Sequence, residues 1–191
     1  MSYMKKELKT RTIIAPQPVL IIATYDADGV ADAMNVAWGG QCWDNEIALN
    51  ISSNHKTTEN MRLQKAFTLS IGTVDTLKES DYFGIVSGKK VDKVKHLSMA
   101  VTKAEKVNAP ILDAFPLVME CEIVSMTDNG DGGVRVVAKI VRTVADESVL
   151  DKEGKVDYGK LNPIMYDSET HAYYRLGEKA GQAFHDGAAL K

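Results

Sequence analysis

Residues 16–38 read PQPVLIIATYDADGVADAMNVAW. Pro18 opens an aliphatic run, Val19 to Tyr25, that a strand accommodates well. Asp26-Ala27-Asp28-Gly29 supplies turn chemistry, and Val30 to Trp38 reads as a return strand. The segment 18–38 therefore predicts a β-hairpin. Its apolar core is short and preceded by two prolines, so it is neither the hydrophobic region of a signal peptide nor a membrane helix, which needs about 20 apolar residues.

The same grammar continues outward. Glu46 to Ser52 alternates polar and apolar residues, as a half-buried strand does, and Phe67 to Gly72 alternates again. Between them, His55 to Lys65 suits a short amphipathic helix that buries Met61 and Leu63. Asp75 to Val86 predicts a helix capped by Thr76 or Asp75, and Asp92 to Leu97 a second, shorter one after the breaker Ser87-Gly88-Lys89-Lys90. Leu117 to Met126 and Val134 to Val144 are long β-runs flanking a glycine-rich hairpin loop, Asp128 to Gly133. Gly177 to Phe184 reads as a last helical turn or two. Strands at short spacing, with helices inserted in two places, predict a mainly β fold with α insertions: a β-barrel in one domain spanning residues 1–191.

Composition sets the outer bounds. Of 191 residues, 45% are hydrophobic, enough for a core. With 23 Lys and Arg against 26 Asp and Glu, the net charge is −3, and no long basic run is available to track a nucleic-acid backbone. Nucleic acid and membrane are excluded as expected partners. Cys42 and Cys121 are far apart and without a CxxC partner, which suits reduced thiols in a cytoplasmic chain better than the one disulfide a secreted chain of this size could hold.

Several catalytic patterns are missing. His55, His96, His171 and His185 show no HExxH spacing. Neither Asp-rich turn carries a full calcium-loop ligand set. GxGxxG, GxxxxGK[ST] and GxSxG are absent from the sequence.

Three stretches remain. Ile51 to Asn60 places Ser52, Ser53, His55, Lys56, Thr57 and Thr58 where a strand gives way to a helix. Unpaired first-turn amides, the positive end of the helix dipole and Lys56 suit an anion such as a phosphate. The competing reading is that Ser53 or Asn54 simply caps the helix. Asn35-Val36-Ala37-Trp38-Gly39-Gly40-Gln41-Cys42-Trp43 ends a strand in two glycines with a tryptophan on each side, either a cover for a flat ring or a core tryptophan with a glycine bulge. Ser87 to Lys93 is a lysine-rich glycine loop, and the aromatics near Tyr166 and Tyr173 suit a barrel mouth or a dimer interface.

Taken in order, PQPVLIIATYDADGVADAMNVAW, SSNHKTTENM, SGKKVDKVKHL and NPIMYDSETHAYYRLGEKAGQAF resemble the flavin reductase-like family, specifically its flavoredoxin-type branch, over about residues 15–184. The resemblance implies an FMN-binding split β-barrel. It places Asn35, Val36, Ala37 and Trp38 along the isoalloxazine, and Ser52, Ser53, His55, Lys56 and Thr57 at the FMN phosphate. Lys93 is placed at the flavin, Ser87 and Gly88 shape the turn before it, and Tyr166 or Tyr173 supplies a C-terminal aromatic.

The implied activity is an oxidoreductase that passes electrons from NADH or NADPH through FMN to a small-molecule or protein acceptor. The alternative is an electron shuttle reduced by a protein partner. A homodimer with the flavin near the subunit interface is implied as well. Many relatives carry a histidine and a glycine-acidic pair on the strand after the long hairpin. Here Val134 to Val141 has neither, which leaves that role vacant or to Arg135 or Lys139. Lys56 stands where many relatives have arginine, keeping the charge without bidentate geometry.

Overall fold

The computed structural model describes residues 4–190. Its strands are β1 (Gln17–Pro18), β2 (Leu20–Tyr25), β3 (Ala31–Val36), β4 (Gly39–Trp43), β5 (Glu46–Ser52), β6 (Ala66–Ile71), β7 (Val101–Lys103), β8 (Pro110–Leu112), β9 (Leu117–Asp128), β10 (Gly133–Ala145), β11 (Ile164–Asp167) and β12 (Ala172–Arg175). Four helices interrupt them: α1 (Lys56–Gln64), α2 (Leu77–Ile85), α3 (Lys93–His96) and α4 (Tyr158–Leu161).

The main sheet has the order β3-β2-β6-β9-β10-β5-β4, antiparallel throughout. Its two edge strands, β3 and β4, are consecutive in the chain and joined only by Ala37 and Trp38. A connection that short forces the sheet to curl until its edges approach, producing a split barrel. Gly39 marks the closure. A Cβ there would run into Leu49 of β5 and sit 3.4 Å from Leu20 of β2.

The barrel interior is filled by Leu20, Ile22, Met34, Val36, Leu49, Phe67, Val134 and Val136, with Met61 of α1 closing one end. The opposite face of β2 is buried as well. Val19, Ile21 and Ala23 pack with Phe83 of α2, Val94 of α3, Phe115 and Ile164. Burial on both faces is why residues 19–23 read as a continuous apolar run rather than an alternating one.

The opening hairpin forms with Leu20 opposite Val36 and Tyr25 opposite Ala31, and Asp26 holds its turn by accepting from the Asp28 and Val30 amides. Several sequence expectations are corrected. Gly39 to Trp43 is a separate edge strand with a register shift between Gln41 and Trp43, and Trp38 and Trp43 are 52% and 73% exposed, so neither is a core tryptophan. Leu63 of α1 is exposed, and the helix instead buries Thr57, Thr58, Asn60 and Met61, with Asn60 Nδ2 donating to Thr24 Oγ1 at 3.0 Å. Thr76 stands at the α2 N-cap without capping it, because its hydroxyl accepts from the Thr73 amide at 3.0 Å. No helix covers Gly177 to Phe184; the helical turn falls later, at Asp186–Leu190. Among the described residues, no helix is long and apolar enough to cross a membrane.

A buried charge anchors the β7–β8 hairpin to the long β9–β10 ribbon. Glu120 is fully buried; it accepts from the Lys106 amide and from Arg142, each at 2.6 Å, and from the Glu105 amide at 3.2 Å. Burial by itself raises its carboxyl pKa, but these donors outweigh that and hold it below the ordinary value. A depressed folded-state pKa contributes stability above the unfolded-state pKa, and that contribution is lost as pH falls through the folded-state value. Glu120→Gln is therefore expected to be less stable than the native chain at about pH 7, with the gap closing toward about pH 3. Urea midpoints across that range check this, and a constant gap contradicts it.

Cys121 faces the barrel interior, and burial first, then the Glu120 charge, pushes its thiol up to about 12. It is an inert core residue. Cys42 is exposed, and the two form no disulfide.

Candidate functional site

Two adjoining cavities lie where β3, the β5–α1 junction, α2 and the β11–β12 hairpin meet. The larger has a volume of about 530 Å³ and is walled by Asn35, Val36, Ala37 and Trp38 on one side and by Asn50, Ile51 and Ser52 on another. Gly84, Ile85, Tyr166 and Tyr173 complete the wall. The smaller cavity, about 230 Å³, is bounded by Lys56, Thr57, Ser87, Gly88 and Lys93. Met34, Asn35, His55, Gly84 and Ile85 belong to both. An apolar slot thus opens onto a polar end.

Of the fourteen residues singled out in the sequence, the structure brings thirteen to these cavities. Ser53 lines neither; it is exposed, and its amide donates to the Gly132 carbonyl at 2.9 Å. Arg135 and Lys139, the alternatives for the vacant histidine, are exposed on β10 and line neither cavity.

The polar end is built at the start of α1. His55, not Ser53 or Asn54, occupies the N-cap, and its side chain caps nothing. Ser52 and Asn54 bond each other instead, at 2.9 Å. Among the described residues, neither the Lys56 nor the Thr57 amide has an acceptor, so two first-turn N–H groups remain available beside the smaller cavity. Ser87 accepts from the Lys89, Lys90 and Val91 amides through its hydroxyl and carbonyl, which fixes the loop opposite.

Asp32, which the sequence reading passed over, sits beneath this end. It is 3% exposed and accepts from Thr57 Oγ1 at 2.5 Å. Gly88 passes so close that a Cβ there would collide with Asp32 Oδ1. Lys93 is also 3% exposed, and its ammonium donates to the Phe83 carbonyl at 3.3 Å. Burial pulls its pKa down; Asp32 resists that and Lys56 adds to it.

Lys56 reaches Asp26 at 2.9 Å. Burial alone would lower its pKa, but Asp26, with Asp32 and Asp92 further off, leaves it raised and the side chain charged. His55 is held below its ordinary value by burial and by the Lys93 and Lys89 charges, against Asp32, so it enters as the neutral imidazole near pH 7. The end of the slot therefore holds two lysines, Lys56 paired with Asp26 and Lys93 close to the buried Asp32.

At the other end, Asn35 Nδ2 donates to the Ser80 carbonyl at 2.8 Å and Tyr173 donates to Asp81 at 2.9 Å. Burial, followed by Asp81, pushes the Tyr173 phenol up to about 12. Tyr173 therefore remains a neutral donor at any ordinary pH. Asp81 and His171 are wall residues that sequence patterning missed, because each reaches the site from an element whose own periodicity says nothing about it.

The flavin reductase-like domain model matches residues 12–173, and the chain belongs to that family. It is similar to the flavoredoxin of Desulfovibrio vulgaris (Miyazaki F), 31% identical with a TM-score of 0.91, covering 96% of this chain and all of that one. The flavoredoxin of Methanosarcina acetivorans is 26% identical with a TM-score of 0.91, covering 99% of this chain and all of that one. An uncharacterized protein of Archaeoglobus fulgidus is 25% identical over 92 residues, 48% of this chain; the match spans about half, 51%, of that curated relative's length. The sequence expectation of a flavin reductase-like split barrel of flavoredoxin type agrees with these likenesses.

Proposed function

We propose that the chain is an FMN-dependent oxidoreductase that draws electrons from NADH or NADPH and passes them to a small-molecule or protein acceptor. The observation that carries this reading is the joined pair of cavities: an apolar slot whose far end meets two acceptor-less amides and two lysines. A planar ring with a phosphate on a short polar tail is the ligand class that matches both ends.

Bound FMN would supply the redox chemistry, taking up a hydride equivalent and giving electrons one or two at a time. This chain's residues hold and orient it. The Lys56 and Thr57 amides, with the Lys56 ammonium, would bind the phosphate. Lys93, buried and short of acceptors, would stabilise negative charge on the ligand and regain an ordinary pKa in doing so. Val36 and Ala37 exclude water along the slot, and the half-exposed Trp38 stands at its rim, where a nicotinamide or a second subunit could cover it. A homodimer, and a reduced intracellular setting for the two thiols, belong to the same proposal.

A second reading is favoured by the full-length likeness to two flavoredoxins: an electron shuttle that receives electrons from a protein partner and has no nicotinamide site. Anaerobic addition of NADH and NADPH to the FMN-loaded protein separates the two. Bleaching of the bound flavin by either nucleotide is the expected result. Bleaching by dithionite alone favours the shuttle and removes the reductase reading.

A further inference from the structure

His171 ends the loop that joins β11 to β12, next to the Asp167–Ala172 pair. Its φ of 54° places a non-glycine residue in the left-handed region, a conformation histidine tolerates better than most side chains and one that proteins tend to keep at functional sites. The loop around it is held by Asp167, whose carboxylate accepts from the Glu169 amide at 2.9 Å and from Thr170 Oγ1 at 2.6 Å. The imidazole lines the larger cavity, and its Nδ1 lies 2.9 Å from the Tyr166 hydroxyl. Among the described residues, Nε2 has no partner. One ring nitrogen is thus engaged by the Tyr166 hydroxyl, and the exposed imidazole leaves the other without a partner among the described residues.

We infer that His171, positioned by Tyr166, is the proton-exchange group of the larger cavity, serving a ring ligand that takes up two electrons with one proton. This rests on the reading of the cavity as a flavin site. When a one-electron donor, such as a reduced protein partner, delivers two electrons in turn, the ligand gains negative charge and needs a proton from elsewhere. An N–H bond forms on the ligand as the Nε2–H bond of the His171 imidazolium breaks, and water reprotonates the imidazole. On reoxidation the imidazolium would first give its Nε2 proton back to water, and the neutral Nε2 would then take the proton that the ligand releases as two electrons pass to the acceptor. A hydride donor brings its own proton and leaves the pair silent.

The charged and titratable groups around His171 are Asp167 and Glu169 in its own loop and Arg11, which pairs with Glu169 at 2.5 Å. On the cavity wall stand Tyr166, Tyr173 with its partner Asp81 of α2, and His55 of the α1 junction.

The test is the midpoint potential of the FMN-loaded protein, titrated with dithionite from about pH 5 to about pH 9, the window in which histidine changes charge. The native plot should bend within that window, and His171→Gln should lose that bend. Tyr166→Phe should keep the bend but shift its position. Nitrogen-resolved NMR of the loaded protein should place the His171 pKa higher in the reduced state than in the oxidised one. Superimposable plots for the native protein and His171→Gln, with FMN retained by both, overturn the inference alone. Failure of the native protein to retain FMN overturns the cavity reading and the inference with it.

Discussion

Gly88→Ala is expected to weaken FMN binding by about 5- to 150-fold, equivalent to about 1–3 kcal/mol of overpacking. The added methyl would occupy the space of Asp32 Oδ1. Asp32 cannot simply turn aside, because it is buried on β3 and accepts the Thr57 hydroxyl at 2.5 Å. Either the Ser87–Gly88 turn moves away from α1 or the carboxylate releases Thr57. Both outcomes disturb the smaller cavity, whose walls include Thr57, Ser87, Gly88 and Lys93. The backbone itself is not the obstacle, since Gly88 is not among the positive-φ glycines. Calorimetric titration with FMN reads the loss. Pairing the change with Asp32→Ala, which opens the space, should recover part of it, so the two substitutions should be strongly non-additive. Native affinity in Gly88→Ala would show that this close approach does not shape the site.

Phe67→Ala carries the largest expected effect on stability. Phe67 is fully buried at the centre of the barrel, among residues from β2, β5, β9 and β10. Removing a buried aromatic ring costs about 3–5 kcal/mol, because lost transfer energy adds to the energy of the cavity left behind. In a chain of this size that lowers Tm by about 6–20 °C. Strands contributed from all round the barrel cannot collapse into the gap without breaking register, so the upper half of the range is expected. Thermal unfolding followed by far-UV circular dichroism checks it, and a shift of only a degree or two would mean that the interior repacks freely.

Much of this was legible in sequence, for identifiable reasons. The β2–β3 hairpin announces itself because its turn is built from Asp and Gly and its first strand is buried on both faces. The strand-to-helix junction at Ser52 to Thr57 is equally visible, since a polar stretch with a lysine between an alternating strand and a helix carries its chemistry locally, although no side chain there caps the helix. Strand β4 was not visible. Gly39-Gly40-Gln41-Cys42-Trp43 has no alternating apolar pattern, because it is an exposed edge held by backbone pairing to β5.

The inner face of α1 was misread because Thr57, Thr58 and Asn60 are buried by hydrogen-bonding to Asp32, Ser52 and Thr24 rather than by apolar contact. Asp32, Asp81 and His171 come together only through the tertiary fold. Asp32 lies 25 residues from its Thr57 partner and Asp81 92 residues from Tyr173, distances over which no local pattern reports.

The central claim is that the slot takes a flavin ring and the start of α1 takes its phosphate. Parallel equilibrium titrations with FMN and riboflavin, which share the ring and differ in the phosphate, test it most directly. Two charge-assisted amide contacts and one lysine, at about 1.5–3 kcal/mol for a hydrogen bond to a charged group, predict FMN binding at least about 100-fold tighter than riboflavin. Equal affinities for the two, or no affinity for either, would contradict the account.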